Sequence, residues 1–148
     1  MNIFHKLFNK LGRYRLIPDR RTGANYMHRY YLFLKDRNWF PFNLTLHKIV
    51  RSDDPVFHDH PWPYMTIVLS GGYWEHTPEG KFWRGPGHMR FSKAESLHYL
   101  EVPQGGSVWT LFFRFGKKKE WGFIKDGEWV HYQTYLKERM QTQSRLNT

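Results

Sequence analysis

The chain has 148 residues, a length that fits one domain with its own core and does not favour a second domain. It contains no cysteine, which excludes disulfides and thiolate metal sites, so any transition metal must be held by His, Asp, Glu or Tyr. Lys and Arg number 23 against 13 Asp and Glu, and this formal net charge of +10 favours anionic partners such as nucleotides, phosphorylated sugars, nucleic acid or acidic lipid.

The N-terminal segment is basic and amphipathic. Apolar side chains recur at helical spacing with Lys and Arg between them, which predicts an amphipathic helix over residues 1–13. The segment has no continuous apolar run, so it predicts neither a secretory signal nor a transmembrane span, and we expect a cytoplasmic protein. Packing against the domain is the favoured use of this helix, and a membrane surface is the alternative.

The middle of the chain alternates short apolar runs with turn signals. The runs include "NLTLHKIV", "YMTIVLS" and "SVWTLFFRF", and the separators "SGG", "TPEG", "RGPG" and "VPQGG" are rich in Gly and Pro. Strands this short at this spacing predict an all-β, antiparallel sandwich or barrel. Asp126 and Gly127 predict a hairpin turn, and residues 132–145 return to helical spacing. No repeat or linker interrupts the pattern, so residues 1–148 are predicted to form one domain.

The stretch "VFHDHPW" places two histidines one residue apart. On a β-strand His58 and His60 point to the same face, and "SLHYLEV" supplies His98 on another strand. Three imidazoles converging from two strands leave open positions on a divalent ion, and such ligation suits Fe, Ni, Zn or Cu. The alternative is that these are surface or hydrogen-bonded histidines.

The spacing around these histidines adds a resemblance to a known family. His58-x-His60-x3-Tyr64-x6-Gly71 fits the first cupin motif, with Tyr64 where Glu is usual, and His98 stands where the second motif has its histidine. The segment "FSKAESLH" departs from that second motif, because it replaces the usual proline and glycine. The chain thus resembles the cupins, which implies a single antiparallel jelly-roll barrel with short N- and C-terminal helices and a metal held between two sheets.

A narrower resemblance comes from the order of several short segments. "HDHPW", "IVLSGGYWE", an Arg ahead of "ESLH", "VWTLFF" and "WGF" look like small cupin-like proteins of phages and prophages, over residues of about 40 to 135. If the chain is encoded by a phage, its compartment is the cytoplasm of the host cell. No reaction for this chain follows from the likeness.

Five further residues are candidates for the same site. Arg90 is predicted to clamp a carboxylate or phosphate, with an exposed salt bridge as the alternative. Glu75 and Tyr64 are the catalytic candidates, Glu75 as ligand or general base and Tyr64 as an oxygen donor. His47 and Trp109 are candidate ligand contacts, although histidine and tryptophan at such positions are more often packed in a core.

Two functions compete for this constellation. In the first, a metal-dependent enzyme, an oxygenase or isomerase for example, acts on a small anionic nucleotide, sugar or carboxylate. In the second, the same cavity captures or sequesters such a ligand without turnover. A weaker alternative is a basic protein that binds nucleic acid, with affinity that falls steeply with salt. A homodimer is compatible with the sequence, and nothing in it indicates the oligomeric state.

Overall fold

A computed structural model describes residues 2–35 and 39–147, which form a mostly β fold with a helix near each end. The helices are α1 (Ile3–Lys10) and α2 (Tyr132–Leu146). The strands in chain order are β1 (Tyr14–Pro18), β2 (Asn25–Tyr31), β3 (Phe42–Ile49), β4 (Tyr64–Ser70), β5 (Tyr73–Thr77), β6 (Gly80–Arg84), β7 (Met89–Ser92), β8 (Tyr99–Glu101), β9 (Val108–Phe115), β10 (Gly122–Lys125) and β11 (Glu128–His131).

The strands form three antiparallel sheets. The large sheet has six strands in the order β1-β2-β3-β9-β4-β7, the second has three in the order β6-β5-β8, and β10 and β11 form a separate hairpin. Asp126 and Gly127 have φ values of 53° and 79° and connect the paired residues Lys125 and Glu128, so the predicted hairpin turn is confirmed.

Side chains of the large sheet alternate between two faces, as expected for strands. On β3 every second residue is buried, from Asn43 to Ile49. The register aligns these residues in rows across the sheet: Ile49 pairs with Met27 and Val108, and these belong to the apolar core cluster. The rows beyond this one carry polar side chains on the same face, so the interior changes from an apolar core to a polar cavity wall along the strands.

One glycine at the end of β4 is required by close packing. Gly71 has φ +77°, and a Cβ atom there would lie 2.1 Å from the carbonyl oxygen of Ser107. No other residue type fits this approach without a shift of the backbone. Gly71, the last residue of the first cupin motif, therefore allows β4 to turn into β5 and reach the second sheet.

The N-terminal helix is shorter than the predicted 1–13, and it packs on the outer face of the large sheet. Asn2 caps its first turn by accepting from the His5 amide at 2.9 Å, and Gly12 with φ +65° follows its last residues. The Phe4 and Phe8 rings lie 5.0 and 5.7 Å from the ring of Tyr30. The helix thus packs against the domain through these two aromatic side chains.

The C-terminal helix packs on the β10-β11 hairpin through buried Tyr135. The ring of Tyr135 stacks on Phe123 at 4.0 Å, and its hydroxyl donates to Asp54 at 2.9 Å. Arg139 also donates to Asp54. Within residues 2–35 and 39–147 no helix is both long and apolar enough to cross a membrane.

Candidate metal centre

The structure brings His58, His60 and His98 together. One potential ligand atom from each ring lies within 4.8 Å of the others. The ring centroids are 5.2 Å apart for His58 and His60, 4.9 Å for His58 and His98, and 5.0 Å for His60 and His98. The three rings therefore lie close enough together to be candidate ligands of one ion.

Backbone pairing holds the three histidines in place. His58 and His98 form an antiparallel bridge, in which each amide donates to the carbonyl of the other at 3.0 and 3.1 Å. The His60 amide donates to the carbonyl of Ala94 at 3.0 Å. Both histidines of the first motif are therefore paired with the segment that carries the third, and the metal ligands do not depend on a free loop.

Asp59, between the two histidines, points the opposite way and anchors the segment. Its carboxylate is buried, accepts from the Gly122 amide at 2.8 Å and from Trp129 Nε1 at 3.1 Å, and forms an ion pair with Lys119. The alternation of an extended segment places Asp59 on one side and both imidazoles on the other. Sequence reasoning missed this anchor, although its signal was present in the "HDH" triplet.

Glu75 determines which nitrogen of His98 is free. Its Oε1 lies 2.9 Å from His98 Nδ1, and its Oε2 accepts from Arg84 Nε at 2.8 Å and from Arg90 at 2.9 Å. An ionised carboxylate can only accept, so Nδ1 of His98 donates to Glu75, and Nε2 is the ring nitrogen that points away from this carboxylate. Such a carboxylate behind a metal-binding histidine sets both tautomer and ring orientation.

The charge state of Glu75 follows from its neighbours. Burial by itself raises the pKa of Glu75, but the hydrogen bonds from His98 and Arg84 and the charges of His98 and Arg90 outweigh it, and the pKa falls to about 2. Glu75 is therefore ionised at neutral pH, and both of its oxygens are already engaged.

His58 and His60 are neutral. Burial lowers the pKa of His58 to about 4 and lowers the pKa of His60 well below its usual value of 6.5, because a charged ring in the interior loses its hydration. Nδ1 of His60 is buried and has no hydrogen-bond partner among the described residues. A buried, unpartnered nitrogen is costly unless something binds it, and a neutral imidazole is the form that binds a metal. The three residues thus fit a divalent ion.

Tyr64, which replaces the usual glutamate of the motif, lies at the edge of the triad. Its hydroxyl is 3.3 Å from His98 Nε2, and its ring centroid is 4.5 Å from that of His60. Burial raises the pKa of Tyr64 above its usual value of 10, so the side chain is a protonated phenol at neutral pH. The site thus has a neutral phenol at this position.

The triad opens into a cavity of about 420 Å³. His47 and Arg90, both predicted as ligand contacts, line this cavity together with Glu75 and Tyr64. Trp109 does not: it lies on the outer face of the large sheet, where its ring stacks on Tyr30 at 5.9 Å. The cause is strand alternation, because Trp109 sits between two inward-facing residues of β9.

Two arginines, one on the cavity wall and one behind Glu75, lay outside the sequence prediction. Arg84 completes the cluster around Glu75, and its only sequence signal was a basic residue at the end of "KFWR". Arg29 lines the cavity from β2, and no motif marked it. Both were hidden because a single arginine on a strand carries no sign of its partner on a distant strand.

Comparison with known proteins gives structural neighbours only. No family model matches the chain, and no curated protein matches it by sequence. The polyketide cyclase RemF from Streptomyces resistomycificus is similar with a TM-score of 0.61 and 18% identity, over 88% of this chain and 93% of that one. An RmlC-like cupin protein from Ralstonia eutropha has a TM-score of 0.54 and 14% identity, over 89% and 83%. FeII HppE has a TM-score of 0.56 and 16% identity, over 70% of this chain and 57% of that one.

The chain has a cupin-like fold. At these identities the likeness concerns the fold alone, and it does not transfer an activity. The neighbours include a cyclase and an iron-containing protein, so the same architecture serves different chemistries.

Proposed function

We propose that this protein is a metal-binding cupin with a jelly-roll barrel that acts on a small organic anion. The observation that carries the proposal is the convergence of three histidines, His58, His60 and His98, whose ligand atoms lie within 4.8 Å of each other at a cavity. Two of the rings are held neutral by burial, and the third has its free nitrogen defined by Glu75.

An all-nitrogen site of three histidines leaves coordination positions open for a ligand. This donor set suits Fe, Ni, Zn or Cu, any of which supplies Lewis acidity and, for Fe or Cu, redox chemistry. FeII HppE, a neighbour in fold, is iron-containing by its name. Ring nitrogens would lie about 2.0 to 2.2 Å from a bound ion.

The side chains of this chain have separate tasks around the ion. Glu75 is a positioning residue, since it touches His98 and two arginines, and both of its oxygens are used. Tyr64 is the candidate catalytic residue, because its phenol keeps a proton beside the triad and can deliver it from Oη to a bound substrate.

Turnover and simple capture of a ligand use the same cavity and differ in one measurable outcome. The protonated Tyr64 beside the triad can transfer a proton during turnover or donate a hydrogen bond to a captured anion. Incubation of the metal-loaded protein with candidate nucleotides, sugars and carboxylates, followed by recovery of the ligand, separates the two. An altered ligand indicates an enzyme, and an unchanged ligand that coelutes with the protein indicates sequestration.

Metal analysis of freshly purified protein tests the site itself. We expect one divalent ion per chain in the wild type and none in the variant that combines His58→Ala with His60→Ala. His76→Ala is the matched control, because His76 belongs to the three-stranded sheet and contacts Glu101, away from the triad. Equal metal content in the double variant and the control would overturn the assignment, provided that circular dichroism shows both to be folded.

A further inference from the structure

Arg29 is a guanidinium on the cavity wall without a countercharge. Its Nε donates to His47 Nε2 at 3.2 Å, and no carboxylate of residues 2–35 and 39–147 pairs with it. The fork of Arg29, which carries four further N–H donors, makes no other hydrogen bond within those residues.

The carboxylates that line the cavity are all engaged elsewhere. Asp19 and Asp54 both accept from Arg21, and Asp53 accepts from the Tyr26 hydroxyl and the Leu100 amide. Glu75 is held by Arg84, Arg90 and His98. These carboxylates do not pair with Arg29, so its positive charge is available to an anion that enters the cavity.

His47 orients the guanidinium of Arg29. Because arginine only donates, the His47 nitrogen at 3.2 Å from Arg29 Nε must accept, and the Thr45 hydroxyl at 3.0 Å donates to the same atom. Burial, and then the charge of Arg29, lowers the pKa of His47 well below 6.5, so the ring stays a neutral acceptor. The guanidinium of Arg29 is therefore oriented by its Nε contact with His47, and its two terminal NH2 groups remain available to a ligand.

An aromatic wall leads from this point toward the histidine triad. The ring of His47 stacks on Phe112 at 5.0 Å, Phe112 stacks on Tyr64 at 5.3 Å, and Tyr64 lies 4.5 Å from His60. The backbones of Arg29 and Tyr64 are three strands apart across the large sheet, roughly 14 Å at the usual strand spacing, and Tyr64 is also displaced along β4 by the four positions from Val68, roughly 13 Å. A bare phosphate or formate cannot follow this wall from end to end, whereas a flat organic acid can.

We propose that Arg29 anchors the oxyanion of the substrate, a carboxylate or a phosphate monoester, while its flat body lies along Phe112 toward the histidine triad. This inference rests on the proposed function, since it assigns one end of the same cavity. An arginine fork suits a planar or tetrahedral oxyanion better than an ammonium does, because it donates two parallel hydrogen bonds.

Calorimetry with simple aromatic acids tests this assignment without knowledge of the natural substrate. The probes are phenyl phosphate, benzoate and the uncharged benzyl alcohol, added to the zinc-loaded protein. We expect phenyl phosphate or benzoate to bind, the stronger of the two identifying the oxyanion, and benzyl alcohol to bind far more weakly. Arg29→Gln should lower the affinity at least tenfold, and Arg29→Lys should give an intermediate loss because it keeps the charge and loses the fork.

Arg20→Gln is the matched control, because Arg20 is an exposed arginine that lines the same cavity. We expect it to retain wild-type affinity, and equal losses in Arg20→Gln and Arg29→Gln would reduce the effect to general positive charge and overturn the proposal. Wild-type affinity in both Arg29 variants would also overturn it, as would absence of binding by both anions to the wild type.

The zinc content of each sample keeps the two proposals apart. Full zinc occupancy with unchanged anion binding in Arg29→Gln rejects the anchor and leaves the metal site standing. A second outcome is that the wild type binds no zinc but binds the anion more tightly than Arg29→Gln does. This outcome supports the anchor and rejects the metal site. If Arg29→Gln does not fold, Arg29→Lys decides, since it must weaken anion binding while zinc content stays unchanged.

Discussion

Two arginine–histidine groups face the same cavity and differ in a single carboxylate. Arg90 reaches His98 through Glu75, which also holds Arg84, so both arginines of that cluster have a carboxylate partner. Arg29 contacts His47 directly, and no carboxylate stands between them. Glu75 makes the Arg90 group a support for His98, a candidate metal ligand. The Arg29 group has no such carboxylate and stays open to an external anion.

The largest expected effect comes from removing that carboxylate. We expect Glu75→Gln to lower the free energy of unfolding by about 3 kcal/mol, because the loss of one partner leaves buried charges uncompensated. The ion pair of Glu75 with Arg84 accounts for most of this loss of stability. The side chain of Arg90 is 36% exposed, so solvent partly screens its charge. Urea unfolding of the metal-free proteins measures the difference.

Glu101→Gln is the control for this prediction. Glu101 also contacts a histidine and a basic residue, His76 and Lys81, but at the surface. We expect no measurable loss of stability for Glu101→Gln. A similar loss of unfolding free energy in Glu75→Gln and Glu101→Gln would show that the buried Glu75 ion pairs stabilise the fold no more than the exposed Glu101 pairs.

The second effect concerns metal affinity. We expect Glu75→Gln to weaken zinc binding by about 10- to 100-fold, because His98 loses the carboxylate that sets its tautomer and orientation. Arg90→Gln keeps the contact between Glu75 and His98 and should leave zinc affinity unchanged. Competition with a chromophoric chelator measures both, and equal affinity in Glu75→Gln and the wild type would remove Glu75 from the metal site.

The third effect is a pH dependence from His47. Its pKa is depressed in the folded protein, so above pH 6.5 it is neutral in both states and adds no pH dependence. Below pH 6.5 the unfolded chain takes up a proton that the folded chain excludes, and stability falls by about 1.4 kcal/mol per pH unit. His58 and His60, with their own lowered pKa values, add to the wild-type slope in metal-free protein.

Urea unfolding of metal-free His47→Gln and wild type, at several pH values between about 5 and about 7, isolates the share of His47. We expect the free energy of unfolding of His47→Gln to depend less steeply on pH than that of the wild type, by the contribution of one proton. Identical slopes would show that His47 takes up a proton in the folded state, which is incompatible with its role as an acceptor for Arg29.

The smallest effect is expected for Arg29 itself. Arg29→Met deprives no carboxylate of residues 2–35 and 39–147 of a partner, and it removes the charge that, after burial, lowers the pKa of Arg114, so the free energy of unfolding should stay unchanged or rise by up to about 1 kcal/mol. Thr45 still donates to His47 in the variant. Thermal unfolding measures the shift, and a loss as large as that of Glu75→Gln would indicate a structural arginine.

Local patterns in the sequence sufficed for the strands, the turn at Asp126 and Gly127, and the shared side of His58 and His60. Each depends on residues within a few positions of each other, where backbone alternation decides the direction of a side chain. Arg90 and His98 show where this reasoning ends. They lie on or next to strands of different sheets, and they meet only through Glu75.

By itself, the sequence determined the chemistry that the site can have: nitrogen ligands without thiolates, two histidines on one side of an extended segment, and a tyrosine in place of a glutamate. The tertiary structure alone decided which charges are compensated. Arg29 and His47 are 18 positions apart and meet through the register of β2 and β3, whereas Glu75 and Arg90 are 15 positions apart and meet across two different sheets. Coulomb energies and hydrogen bonds depend on such distances, so only the folded chain distinguishes a supporting arginine from one that is open to a ligand.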